Sequence, residues 1–404
     1  MTKGPVVIAG AGHAGFQLAA GLRQGGFTEP VTLLNGEGHL PYHRPPLSKA
    51  YLNSGPNTPV FRPAKFYFDQ KIDLIEDRAI SIDRAARKVS LASGYSLDYG
   101  HLVLATGARN RPLDIPNAKL DGVRYLRTID EAEALRHRIA SGQRAVVIGA
   151  GFIGLEFAAT ARAKGLDVDV VEIGTRVMAR AVTAEISEFF QKQHTAADIR
   201  IHFGVHVTRI EADGGKVTGV SLSNGRRLPT ELVVVGVGVL PNVELATDAG
   251  LPVAAGVIVD KHLRTADPNI SAIGDCAQYA SHRFGGSMRL ESVQNATDHA
   301  RCLAVQLTGN AKPYDDMPWF WSDQGSSKLQ IVGLTTGSDQ VVVRGDRASG
   351  SFSAFCYKAG KLLGIESVNN TSDHMIGRRL LAANRSITPE QAADNGFDLK
   401  SVLT

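Results

Sequence analysis

The chain has 404 residues, of which 43% are hydrophobic, 21% charged and 42 glycine, and its formal net charge is +4. Its length predicts two or three domains, and its composition excludes a disordered or collagen-like chain. The charge does not point to nucleic acid: residues 1–113 hold 13 basic and 8 acidic groups, residues 114–241 hold 16 and 15, and no Lys/Arg block stands out.

In chain order, residues 5–9 (PVVIA) read as a buried parallel strand. Gly10, Gly12 and Gly15 follow in the turn GAGHAG, and a helical pattern starting at Phe16 leads to a second strand at 31–34. This is a β-α-β unit with a dinucleotide fingerprint. Gly10 permits the tight turn, Gly12 lets backbone approach a pyrophosphate, and Gly15 lets the helix pack on the strand. The strand ends at Asn35, and Glu37 is the expected ribose ligand, the alternative being an exposed loop acid. His13, inside the turn, reads as exposed or packed rather than catalytic. Residues 101–105 form another strand that runs into Thr106 and Gly107.

The pattern recurs at 144–148, with Gly149, Gly151 and Gly154, a small-residue helix to 164 that contains Glu156, and a strand at 168–171 that ends at Glu172. Glu172 stands where an acid accepts hydrogen bonds from a ribose 2′-hydroxyl and repels a 2′-phosphate. NADH is therefore favoured over NADPH, although Arg176 lies close enough in sequence to weaken that preference. A strand at 232–235 leads to Gly236 and Gly238. Two such units imply an internally duplicated nucleotide-binding domain, with Pro112 and Pro241 near the crossings between halves. Residues 270–273 then precede Gly274 and Asp275, followed by a helical pattern at 296–307. An Asp at a strand end beside a helix start suits the hydroxyls of a flavin's ribitol.

From residue 316 the pattern changes to strands at 328–332, 340–343, 351–355 and 361–368, then a helix at 374–383. The only two tryptophans, Trp319 and Trp321, open this unit. The fold class is thus α/β, two Rossmann-like dinucleotide-binding domains plus a C-terminal α+β domain. The boundaries are 1–113 with 242–315, 114–241, and 316–404.

These residues carry a family resemblance over essentially the whole chain. Its most specific stretches are 40–49 (LPYHRPPLSK), 125–128 (YLRT), 154–156 (GLE), 272–275 (AIGD) and 318–324 (PWFWSDQ). The chain resembles the two-dinucleotide-binding-domain flavoproteins, and within them the FAD-dependent NADH:ferredoxin reductases of cytochrome P-450 and Rieske oxygenase systems. The resemblance implies tightly bound, non-covalent FAD, with contacts at Ala14, Lys49, Arg127 and Asp275 and backbone contacts at Ile80 and Val293. It implies NADH at the second fingerprint, with Ile153 and Gly238 joining Gly149, Gly151, Gly154 and Glu172. It implies a Lys49–Glu156 pair beside the flavin ring, Trp321 near the ring's edge, and an acidic [2Fe–2S] ferredoxin as partner, with Arg301 and Lys328 as docking candidates. Gly36 departs from the pattern by standing where some relatives have Asp.

Cysteine usage separates this reading from its rivals. Residues 35–57 contain no Cys, and Cys276, Cys302 and Cys356 form neither a Cys-x-x-Cys nor a zinc pattern. Cys276 reads as a small buried residue. Electrons that reach the flavin are thus expected to leave for an external acceptor. The rivals are an NADH oxidase or peroxidase, a quinone-reducing dehydrogenase, and an apoptosis-inducing-factor-like NADH-binding protein. No apolar stretch exceeds the nine residues 232–240, too short to span a bilayer. The expectation is a cytoplasmic monomer or weak dimer without membrane or nucleic-acid partners.

Overall fold

The computed structural model describes residues 4–55, 57–281 and 283–403. The chain divides into two compact units, each assembled from separate segments.

The first unit comprises Met1–His43, Thr58–Arg109 and Val239–Asp316. Its centre is a five-stranded parallel sheet in the order Ile270–Ala272, His101–Leu104, Val6–Ala9, Val31–Leu34, Ile72–Ile75. Val6–Ala9, Val31–Leu34 and His101–Leu104 are buried at every position, as expected of strands covered on both faces. The helix His13–Gln24 follows Gly12, its N-cap, and buries Phe16, Leu18, Ala19 and Leu22. It starts three residues before the expected Phe16, because the last fingerprint residues are themselves its first turn. A second helix, Val293–Leu307, opens three residues before the expected start, where Ser292 caps the Asn295 N–H at 3.0 Å.

The second unit comprises Arg44–Asn57, Asn110–Gly238 and Met317–Thr404. It holds a parallel sheet in the order Arg200–Phe203, Asp167–Glu172, Arg144–Ile148, Leu232–Val235, Val123–Arg124. In both units the fingerprint strand lies between the strand after its helix and the strand that leads to the later glycine turn. That shared order is the structural signature of the duplication. Each unit also inserts a three-stranded antiparallel sheet, Ala79–Asp83 to Ser96–Asp98 and Val207–Asp213 to Arg227–Pro229, which the hydrophobic pattern did not signal.

The second unit also holds an antiparallel sheet in the order Trp319–Gln324, Ser327–Gly333, Lys361–Val368, Ser351–Lys358, Gln340–Asp346. The helix Thr371–Ala382 packs on it at Gly377, where a β-carbon would lie 2.5 Å from Ile365. The helix begins before the expected residue 374 because Asn370 caps the Asp373 N–H at 3.2 Å.

Glu366, fully buried on this sheet, accepts from the Thr183 N–H at 2.9 Å and from its hydroxyl at 2.7 Å. Burial pushes the Glu366 carboxyl above its usual 4.5, and nearby Glu185 adds to the shift. The folded state therefore binds this proton more tightly than the unfolded chain. Its stabilising contribution is full below about pH 4.5 and is lost as pH rises through the raised folded value. Glu366→Gln, which mimics the protonated form, should raise Tm near pH 8 by roughly 2–4 °C, about 1 kcal/mol at this domain size. It should give no gain near pH 4. Thermal denaturation at the two pH values tests this, and equal Tm values near pH 8 would rule it out.

Candidate functional site

The two fingerprints use their glycines in the same way. A β-carbon on Gly10 would lie 2.4 Å from the Ala105 carbonyl oxygen, and one on Gly149 2.5 Å from that of Gly236. On Gly15 and Gly154 it would lie 1.8 Å and 2.2 Å from the carbonyl oxygens of Gly10 and Gly149. These four glycines are required by the packing of strand, turn and helix. Gly12 and Gly151 differ, since a β-carbon on either would meet nothing within 4 Å. No protein atom accounts for their bareness. Each caps a helix whose free N–H groups attract an anion, so each turn fits the pyrophosphate of a dinucleotide.

Around the first turn, Ala14 lies against Gly274, whose φ is +75° and whose added β-carbon would lie 3.0 Å from that of Ala14. The Gly274 N–H donates to Nδ1 of the fully buried His299 at 3.1 Å, and burial holds this imidazole neutral with a pKa near 3. This contact, absent from the sequence reading, fixes the turn that presents Asp275. Thr106 and Asn242 exchange hydrogen bonds of 2.6 and 2.8 Å next to Gly107, whose φ is +65°. Val293 opens its helix, and Ile80 is 56% exposed on its strand.

Glu37 is half-buried and accepts from the Tyr42 hydroxyl at 2.5 Å. The Asn35 amide is committed to the loop, donating to the His39 carbonyl at 2.7 Å. A β-carbon built on Gly36 would lie 2.4 Å from the stem of Arg78, so a side chain there would displace that arginine. His13 is buried and packs edge-on against Phe61 at 4.8 Å, a packing role.

Around the second turn, Glu172 accepts from the Ala150 N–H and the Gly174 N–H, each at 2.7 Å, which fixes its carboxylate beside the fingerprint. The Arg176 guanidinium donates to the carbonyls of Ala179, Val182 and Thr183. That geometry turns it toward its own loop. Ile153 is 46% exposed beside Gly151, and Gly238 has a φ of +99°.

The same unit brings Lys49 and Glu156 together. Pro45 and Pro46 open a short 3-10 turn, Pro45–Ser48, that ends at Lys49 and narrows the backbone freedom of the segment. Lys49 Nζ lies 3.0 Å from Oε1 of Glu156, whose residue is only 4% exposed, and 3.7 Å from Asp323. Two hydroxyls that the sequence reading did not single out complete the carboxylate's shell. Ser322 donates to Oε1 at 2.7 Å and Ser48 to Oε2 at 2.5 Å. Arg127 is half-buried, with its N–H bound by Glu131 at 2.7 Å and its carbonyl by Arg44 at 2.8 Å. The Thr128–Glu131 capping box was a readable signal for that clamp.

Trp321 stands on the strand Trp319–Gln324 with its ring 5.6 Å from that of Trp319, which in turn lies 4.5 Å under the Arg378 guanidinium. Arg301 is exposed, with Asp298 at 3.5 Å, and Lys328 is exposed on its strand. All three cysteines are free thiols. Cys276 is fully buried and directs its sulfur to the Leu104 and Ile273 carbonyls, and burial raises the pKa of every thiol.

A chain with two dinucleotide cradles, an ion pair on the second fingerprint helix and no dithiol is a nicotinamide-dependent reductase. It belongs to the pyridine nucleotide-disulphide oxidoreductase family, whose model matches residues 4–300, and the model described as "Reductase C-terminal" matches residues 319–403. The chain is 52% identical over 401 residues to rhodocoxin reductase of Rhodococcus erythropolis, covering 98% of this chain and 94% of that protein. Among solved structures, the ferredoxin reductase for the CYP199A2 system from Rhodopseudomonas palustris is 65% identical, with a TM-score of 0.98 and 100% of both chains covered. The reductase in a covalent putidaredoxin reductase–putidaredoxin complex is 37% identical, with a TM-score of 0.96 and 100% and 99% covered.

Proposed function

We propose that this protein oxidises NADH through bound FAD and reduces a small acidic [2Fe–2S] ferredoxin that feeds a cytochrome P-450 or related oxygenase. FAD, when bound, supplies the conversion between a two-electron donor and a one-electron acceptor. The chain's residues bind, orient and control charge. Gly10, Gly12, Ala14, Gly15, Glu37, Ile80, Thr106, Gly107, Asp275 and Val293 hold FAD, together with Lys49 and Arg127. Gly149, Gly151, Ile153, Gly154, Glu172 and Gly238 hold NADH. Lys49, fixed by Glu156, supplies positive charge to the reduced flavin, and Trp321 lies near the ring's edge.

The observation that carries this reading is the state of the thiols. A family named for disulphide chemistry is represented here by a chain whose three cysteines are free, with raised pKa values and no partner thiol. Electrons from NADH therefore need an acceptor outside the chain. The relatives named for rhodocoxin, putidaredoxin and the CYP199A2 system support a ferredoxin in that role. We assign the protein to the cytoplasm; among the described residues no helix is long and apolar enough to cross a membrane.

NADH-driven reduction of a panel of [2Fe–2S] ferredoxins tests the proposal. One or more should be reduced at least tenfold faster than oxygen is consumed. Arg301→Glu should weaken that ferredoxin's effect severalfold at low salt and little at high salt, since a rim charge acts through steering. Oxygen consumption that no ferredoxin accelerates would instead support the oxidase reading.

A further inference from the structure

The Trp319–Gln324 strand alternates. Trp319 and Trp321 share one face, and Phe320, Ser322 and Gln324 share the other. The second face meets two helices of the NADH-binding part. Phe320 packs against Phe152, the first residue of the fingerprint helix Phe152–Ala163, with ring centroids 4.6 Å apart and planes tilted by 45°, and Ser322 donates to Glu156 one turn later. A further turn on, the Thr160 hydroxyl donates to the Ser48 carbonyl at 3.0 Å. One helix face, read at four-residue intervals, thus grips both the tryptophan strand and the segment that carries Lys49.

The hydrogen bonds on this face run in one direction. His194 Nε2 donates to Oε1 of Gln324 at 2.8 Å, and Gln324 Nε2 donates to the Ser322 oxygen at 3.2 Å. That occupies an acceptor site of the hydroxyl and turns its single proton toward Glu156. His194, Gln324, Ser322 and Glu156 are each 4% exposed or less, so water does not compete for these bonds. Successive donors polarise one another and end on the carboxylate.

We propose that Ser322, oriented by Gln324 and His194, is a positioning residue for the hydride step: it holds Glu156 against Lys49 and ties that ion pair to the strand that carries Trp321. The proposal rests on the reading of Lys49–Glu156 as the pair that controls charge at the flavin. It adds that the pair's geometry is set from the C-terminal sheet, through the same strand that carries Trp321.

A double-mutant cycle in the holoenzyme tests it. The first readout is the rate of flavin bleaching by NADH. The second is the emission of Trp319 and Trp321, which are the only tryptophans and both lie on the strand in question. Ser322→Ala should slow bleaching about tenfold, the scale of one charge-assisted hydrogen bond, and leave the KM for NADH within about twofold. Ser322→Cys, which keeps a hydrogen on the γ-atom but donates weakly, should fall between Ala and the parent. In a Glu156→Gln background, Ser322→Ala should add little to either readout, because both substitutions break one interaction.

If Glu156→Gln alone leaves bleaching unchanged, the reading of the pair fails and this inference fails with it. If Glu156→Gln slows bleaching while Ser322→Ala is as fast as the parent, or if the two effects multiply, only the inference is overturned.

Discussion

Gly151→Val is expected to remove NADH binding while leaving the fold and the flavin in place. The backbone at Gly151 is extended, with φ −82° and ψ −178°, which suits a β-branched residue. A β-carbon there meets no protein atom within 4 Å. Its cost to the folded chain is therefore that of a poor helix cap, about 1 kcal/mol. The added methyls instead fill the space in which a pyrophosphate must approach the helix N-terminus. The dependence of flavin bleaching on NADH concentration should shift at least 100-fold, roughly 2.7 kcal/mol, with flavin content unchanged. Gly154→Val, three residues on, should do the opposite, because its β-carbon would lie 2.2 Å from the Gly149 carbonyl oxygen and the protein should fail to accumulate folded. A Gly151→Val protein with the parent's NADH dependence would show that the second fingerprint is only a structural turn.

That contrast also marks how far the sequence could be read. Strand and glycine positions were legible because a buried parallel strand is a short apolar run and a close backbone approach demands Gly. Residues 31–34, 144–148 and 232–235 match Val31–Leu34, Arg144–Ile148 and Leu232–Val235 without a shift. Helix starts were read late because capping is carried by single polar residues, Asn370 and Ser292, rather than by the apolar period. The first antiparallel insertion is hard to read because its opening strand, Ala79–Asp83, has no buried position, whereas the second does bury Val207, Ile210, Val217, Val220, Leu222 and Leu228. Lys49 and Glu156 were reached by resemblance. The hydroxyls that hold them were not, because Ser48 and Ser322 lie 108 and 166 residues from Glu156 and a serine has no spacing rule that points to a distant carboxylate. Arg176 shows a related limit. Sequence places it near Glu172, but only the three carbonyls it binds reveal its direction.

Lys49→Met should separate what the ion pair contributes to stability from what it contributes to chemistry. The substitution keeps most of the side chain's length and removes its charge. Glu156, 4% exposed, is then left with two hydroxyl donors and no cation, and Asp323 loses the ammonium that lay 3.7 Å away. Removing one partner of a buried pair typically costs 3–5 kcal/mol. Lys49 is about one-fifth exposed and the hydroxyls remain, so the lower end applies, about 3 kcal/mol. At roughly 2–4 °C per kcal/mol that lowers Tm by about 6–12 °C. NADH-driven bleaching should slow by about 100-fold or more, because the charge that favours the reduced flavin is gone. Adding Glu156→Gln removes the unpaired carboxylate. The Lys49→Met/Glu156→Gln protein should regain most of the lost Tm and none of the lost rate. Stability and rate returning together would mean that the pair only holds the 44–57 segment in place. Stability that returns alone assigns the positive charge of Lys49 to the hydride step itself.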